Sequence, residues 1–188
     1  MNIVFLDADT MGSDVSLAPI AALGTFMPYA HTKPEEVVMR ALEAQVIITN
    51  KVVLDEQILA QLPALKLICV AATGTNNIDL EYAKRHGILV NNAIDYSTKS
   101  VAQHTFTMLF ALISNIMWYD PYVKGGAYAQ SPHFTNLDRP YFEISGKRWG
   151  IIGMGNIGRC VAGIATAFGC KVNYASVSGA VRQEVYEA

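Results

Sequence analysis

The feature that most constrains this chain is Gly153-Met-Gly-Asn-Ile-Gly158, set between a strand-like run at residues 147–152 and a helical stretch at 159–168. A second strand-like run follows at 171–175. The three glycines answer three steric demands. Gly153 makes a tight turn, Gly155 lets the backbone approach a diphosphate, and Gly158 lets the helix lie close on the strand. The amides near Asn156 and Ile157 then open a helix whose positive dipole end faces the same anion. A lone Gly-x-Gly-x-x-Gly is weak evidence, but a β-α-β succession is the context its mechanism requires. The expectation is a bound dinucleotide; the plainer alternative is a glycine turn that only packs.

Ribose selection in such sites usually rests on an Asp or Glu about 20 residues further on, which accepts from the 2′-hydroxyl. Ser176 stands there instead. A serine does not repel a 2′-phosphate, and Arg182 lies near enough in sequence to pair with one. NAD and NADP both stay open. The plainer reading makes Ser176 the start of a loop and Arg182 a solvated cation.

Composition narrows the partners. With 188 residues there is room for one ordinary domain or two small ones. A hydrophobic share of 52% against 16% charged excludes a disordered chain. Fourteen basic and sixteen acidic residues, without a run of like charge, leave no footprint for nucleic acid or an anionic membrane. The longest apolar stretch, residues 106–118, carries Thr107, Ser114 and Asn115 and falls short of the roughly 20 residues a bilayer needs. The opening residues lack a basic n-region and meet Asp7 and Asp9 early, so no signal peptide and a cytoplasmic location are expected. Cys69, Cys160 and Cys170 are widely spaced, which indicates neither a disulfide framework nor a metal site. All three are expected to act as small hydrophobes in the core.

Upstream, short apolar runs at 3–6, 25–29, 46–49, 65–71 and 88–90 alternate with helical segments. Residues 34–43 open with a proline suited to a first helical turn, and 80–86 end in basic residues before Gly87. The continuous run at 67–72 suits a strand buried on both faces of a parallel sheet. These units predict an α/β fold with an open, doubly wound parallel sheet. A long helix is predicted from Ser100, with Ser100 and Gln103 as a capping box and a stripe of Val101, Thr105, Leu109, Leu112 and Ile116. Over 119–143 periodicity fails at Pro121, Gly125, Gly126, Pro132 and Pro140, while Tyr119, Tyr122, Tyr128, Phe134, Tyr141 and Phe142 keep the segment apolar. A flexible linker would be polar, so this arm is expected to pack on its own domain or on a second subunit.

Four segments carry a resemblance: Val70-Ala-Ala-Thr-Gly-Thr-Asn-Asn-Ile-Asp79, Val90-Asn-Asn-Ala93, Tyr96-Ser-Thr-Lys-Ser-Val-Ala-Gln-His-Thr-Phe106, and Glu143-Ile-Ser-Gly-Lys-Arg-Trp-Gly-Ile-Ile-Gly-Met-Gly-Asn-Ile-Gly-Arg159. In this order they resemble the D-isomer-specific 2-hydroxyacid dehydrogenases, most of all the glycerate dehydrogenase or hydroxypyruvate reductase branch. The resemblance implies a flavodoxin-like substrate domain over 1–98 and an incomplete Rossmann cofactor domain over 99–188, with an arm at 119–143. It implies that backbone around Thr73, Gly74 and Thr75 holds a substrate carboxylate, with Ser97 also on the substrate side. It places Thr98 and Val101 beside the nicotinamide and Gly155, Asn156, Ile157 and Gly158 at the pyrophosphate. It puts subunit contacts in the arm, hence a homodimer. Read without the resemblance, Thr73-Gly-Thr75 is a plain strand-to-helix turn, with Asp79 capping the next helix.

The implied chemistry is reversible hydride transfer between a nicotinamide and C2 of a short 2-keto or 2-hydroxy acid. In the family an Arg polarises the keto acid, a His is general acid/base and a Glu supports it, all downstream of the second Rossmann strand. None has a counterpart in these 188 residues. His104 matches a helical His with a structural place, and His31, His86 and His133 read as surface or capping residues. No catalytic residue is assigned, and the chain is expected to be a truncated dehydrogenase, inactive alone. One alternative is half of a split enzyme, with Arg, Glu and His on another chain. Another is a non-enzymatic dinucleotide-binding or interaction module. Residues 99–188 are expected to be marginal unless a second copy or a missing C-terminal half covers them.

Overall fold

A computed structural model describes residues 1–176 and divides the chain into two units, Met1–Ile94 and Asp95–Ala188. In the first, β1 (Asn2–Phe5), β2 (Thr25–Pro28), β3 (Val46–Thr49), β4 (Leu67–Val70) and β5 (Leu89–Asn92) form one sheet in the order β2-β1-β3-β4-β5. Every pairing is parallel, and the order is the flavodoxin-like one. Ile47 of β3 and Ile68 of β4 are wholly buried, as continuous apolar runs in a covered parallel sheet require.

Helices α1 (Ala18–Ala21), α2 (Val37–Ala41), α3 (Glu56–Leu59) and α4 (Leu80–Arg85) connect the strands. Asp55 caps α3 by accepting from the Ile58 amide at 2.9 Å, and Asp79 caps α4 by accepting from the Tyr82 amide at 2.8 Å. Gly87, at φ 69°, lets the chain leave α4. The segment predicted as helix over 34–43 starts as a tight turn at Pro34–Glu36 and stops at Ala41. The last strand begins later than its apolar run, because the Ile88 amide still bonds the Ala83 carbonyl at 2.9 Å and closes the helix exit.

The second unit holds α5 (Thr98–Ile113), α6 (Ile116–Lys124), α7 (Ala127–Gln130), β6 (Arg148–Ile152), α8 (Asn156–Ala167) and β7 (Lys171–Ala175). β6 and β7 pair in parallel across α8, a Rossmann-type β-α-β unit. The glycine motif runs straight into α8, which starts three residues before the expected stretch.

The structure departs from the sequence reading at three places. First, α5 starts at Thr98, so Ser100 lies inside its first turn; its hydroxyl donates to the Ser97 carbonyl at 3.0 Å, and no capping box forms. Second, Ala102 and Phe106 are the residues of α5 that are buried, whereas Val101 and Leu112 are exposed. Aromatic packing sets that face: the Phe106 ring lies 5.0 Å from Trp149 and 5.9 Å from Phe168. Third, the arm is partly helical despite Pro121. A proline removes one helical hydrogen bond, and Trp118, Tyr119 and Tyr122 pack on one another at 4.9 to 6.5 Å.

The cysteines also divide: Cys170 is buried, while Cys69 and Cys160 are half-buried. Burial pushes the Cys69 and Cys170 thiols above their ordinary pKa. Among the described residues no helix is long and apolar enough to cross a membrane.

Candidate functional site

The glycine turn has the geometry its spacing demanded. Gly153 sits at φ 90°, where only glycine is comfortable, and its amide donates to the Ala175 carbonyl at 2.8 Å, tying the turn to the end of β7. A Cβ on Gly158 would overlap the Gly153 carbonyl oxygen and press on Ile151 Cγ2 at 3.4 Å. Glycine here lets α8 lie against the turn. Gly155 is different: its backbone is extended, and a Cβ there would meet nothing within 4 Å. No atom of the described residues requires glycine at 155, so the open space beside it is where a ligand can approach.

Gly155 is the N-cap of α8 and offers no side chain to the first turn. The backbone amides of Asn156, Ile157 and Gly158 have no acceptor among the described residues, and the amide of Arg159 bonds the Gly155 carbonyl at 3.0 Å. Three amides and the positive end of a twelve-residue helix therefore converge on that space. Arg159 stands beside it: Nη2 donates to Asn156 Oδ1 at 2.5 Å and Nη1 to the Met154 carbonyl at 3.3 Å. These residues fit a diphosphate. Ser176 directly follows β7, beside the strand end that holds Gly153. Arg182 lies outside the described residues.

Ser97, Thr98 and Val101 share the first turn of α5, where the Val101 amide bonds the Ser97 carbonyl at 2.9 Å. Sequence reasoning missed Asp95, whose carboxylate accepts from the hydroxyl of Thr98 and, at 3.2 Å, from Asn156 Nδ2. Its only local sign is a backbone φ of 61°, which no spacing rule reveals.

In the first unit, Thr73, Gly74 and Thr75 leave the end of β4. Asn92 Nδ2 donates to the Thr73 carbonyl at 2.6 Å, the Thr73 hydroxyl to the Ala93 carbonyl at 3.1 Å, and the Ala93 amide to the Ala72 carbonyl at 3.1 Å. The loop is thus pinned to the end of β5. Its amides at 73, 74 and 75 have no acceptor among the described residues, an arrangement able to receive a carboxylate. Asp79 does cap α4, so the plain-turn reading and this one coexist.

Asp7, missed from the sequence, is a buried carboxylate that accepts from the amides of Asn50 and Lys51 at 2.9 and 2.6 Å, joining the ends of β1 and β3. A cavity of about 550 Å³ beside it is lined by His31, Thr32, Lys51, Val52 and Ile58. Among the described residues no histidine pairs with a carboxylate: His86 Nδ1 lies 2.9 Å from the Tyr82 carbonyl, and its ring stacks on Tyr82.

Residues 8–186 match the family described as D-isomer specific 2-hydroxyacid dehydrogenase, catalytic domain. A glycerate dehydrogenase of Methylorubrum extorquens is 38% identical over 172 residues, which cover 91% of this chain and 54% of that enzyme. The structure of an acyclic imino acid reductase in complex with NADPH and D-Arg has a TM-score of 0.81 at 26% identity, over 100% of this chain and 60% of that one. That of a D-lactate dehydrogenase from Aquifex aeolicus, complexed with NAD and lactic acid, has a TM-score of 0.75 at 29% identity, over 97% and 53%. The chain spans about half the length of the curated relatives it matches. From the match over nearly its whole length, it belongs to the D-isomer specific 2-hydroxyacid dehydrogenase family.

Proposed function

We propose that this chain supplies the coenzyme turn and the substrate-carboxylate loop of a 2-hydroxyacid dehydrogenase. The reaction is hydride transfer between NAD or NADP and C2 of a short 2-keto or 2-hydroxy acid of the hydroxypyruvate/glycerate kind. The observation that carries this is the α8 entrance: three amides without an acceptor among the described residues, behind a glycine whose missing side chain no described neighbour explains.

In this reading the amides of Asn156, Ile157 and Gly158 donate to the diphosphate, and Gly155 leaves room for it. Thr98 and Val101 flank the nicotinamide ring, and Ser97 faces the substrate. The amides at Thr73, Gly74 and Thr75 donate to the substrate carboxylate and fix its orientation. When bound, the coenzyme supplies or receives the hydride. No residue is assigned to the proton at the substrate oxygen. Ser176 accepts from a ribose hydroxyl without repelling a 2′-phosphate, so both coenzymes bind. The arm forms contacts with a second copy: Phe134 and Leu137 are 92% and 85% exposed, a surface of the kind that marks interfaces.

Isothermal calorimetry with NADH and with NADPH tests the reading. The expected result is saturable binding of both, with dissociation constants within about tenfold of each other. Absence of binding by either coenzyme overturns it.

A further inference from the structure

Asp95 adopts a left-handed backbone at φ 61°, a conformation that L residues other than Asn and Asp enter at a cost. Such positions persist where their surroundings fix them. Here two hydrogen bonds converge on a single carboxylate oxygen, one from the hydroxyl of Thr98 and one from Asn156 Nδ2, a residue 61 positions later in the chain. The other end of the Asn156 side chain is held as well, since its Oδ1 accepts from Arg159 Nη2 at 2.5 Å. Arg159 in turn donates to the carbonyl of Met154, inside the glycine turn. The residue that opens α8 is therefore gripped at both ends of its side chain.

A carboxylate is a costly choice beside a place meant for an anion, because like charges repel. An asparagine would present the same oxygen to both donors without that charge. The hydrogen-bond geometry accounts for what Asp95 does there.

We infer that Asp95 is a positioning residue for coenzyme binding: through Asn156 and Arg159 it holds the glycine turn in the conformation that aims the first-turn amides of α8 at the diphosphate. This rests on the dinucleotide reading above. Asp95 touches no part of the coenzyme in this account and reaches the glycine turn by way of Asn156.

The test is coenzyme calorimetry on the 188-residue protein and three variants. Asp95→Gly keeps the positive φ without strain and removes both acceptor bonds. Asp95→Asn keeps the acceptor oxygen and tolerates the same φ. Asn156→Ala removes the other half of the clamp but leaves its backbone amide in place. The expected result is a dissociation constant raised about fivefold in Asp95→Gly, the size of one lost hydrogen bond. Asn156→Ala should lose a similar factor, the double variant Asp95→Gly with Asn156→Ala should lose no more than either single one, and Asp95→Asn should bind at least as tightly as the original protein. Should Asp95→Gly not fold, Asn156→Ala and Asp95→Asn carry the same comparison. Unchanged binding in Asp95→Gly and Asn156→Ala, or a loss in Asp95→Asn equal to that in Asn156→Ala, overturns the inference alone. A blank with the original protein overturns the dinucleotide reading and this one with it.

Discussion

The two units use similar apolar sequences to different ends. In the first, the continuous runs of β1, β3 and β4 lie in the middle of a five-stranded sheet, and the core they share with α2, α3 and α4 is closed on itself. In the second, the described residues form two strands, and a smaller cluster runs from Phe106 through Val161 and Ala165 to Tyr174. Several apolar side chains outside that cluster stay in solvent: Leu112, Met117, Phe134 and Ile152 are each more than three quarters exposed. Hydrophobic runs alone do not make a finished core; the number of strands and helices available to sandwich them does.

A matched pair of truncations tests this contrast most severely. Ile68→Ala removes a fully buried side chain from the centre of the first sheet and should cost about 2–5 kcal/mol in urea unfolding. Leu112→Ala, on the exposed side of α5, should change stability by less than about 0.5 kcal/mol. Equal losses would mean that the second unit buries Leu112 after all, as it would in a tight dimer. The glycine turn gives the next largest contrast. Gly158→Ala forces a methyl group onto the Gly153 carbonyl and should cost about 1–3 kcal/mol. Gly155→Ala has room and an ordinary backbone, so it should leave stability nearly unchanged while weakening coenzyme binding by about tenfold or more. A Gly155→Ala protein that binds normally would remove the ligand explanation for that glycine. Smaller again is the arm. Phe134→Asp should weaken self-association by about tenfold in sedimentation equilibrium, and an original chain that stays monomeric at every concentration would show the exposed rings to be a different kind of surface.

Legibility in the sequence follows the same division. Parallel β/α units and the glycine turn could be read because each depends on neighbours in the chain: apolar runs, a proline at a first turn, three glycines with local steric tasks. The start of α5 could not. Ser97 caps it through backbone geometry alone, and Ser100, the residue with the capping signature, bonds back to the Ser97 carbonyl. The buried face of α5 was misread for another reason: which side turns inward depends on Trp149 and Phe168, some 40 and 60 residues away. The aromatic helix α6 was hidden by Pro121, whose local penalty is outweighed by ring packing. Asp95 was hidden for the most general reason, since its partner Asn156 is distant in sequence and its backbone conformation leaves no periodic trace. The way the loop at Thr73 is pinned could not be read either, since it depends on Asn92, again a tertiary contact.

The smallest expected effect separates the units by pH. In the first unit the Glu36 carboxylate accepts from the Lys33 amide at 3.0 Å and pairs with Arg40 Nη2 at 2.9 Å, fixing the turn that leads into α2. The backbone hydrogen bond from Lys33, helped by Arg40 and opposed by desolvation, holds this carboxyl below its ordinary value of 4.5. A group whose folded pKa is lowered stabilises the fold above its unfolded value and loses that stabilisation as pH falls through the folded one. The original protein should therefore melt slightly higher than Glu36→Gln at about pH 7, and the gap should close as the pH is taken below that ordinary value. The helices α5 and α8 of the second unit have no side-chain cap that could titrate in this way. Hydrogen exchange should accordingly show the acid-dependent loosening at the amides of α2 and not at those of α8. A gap that stays constant from neutral to acid pH would mean that the Glu36 contacts hold the turn by shape, with its charge contributing nothing.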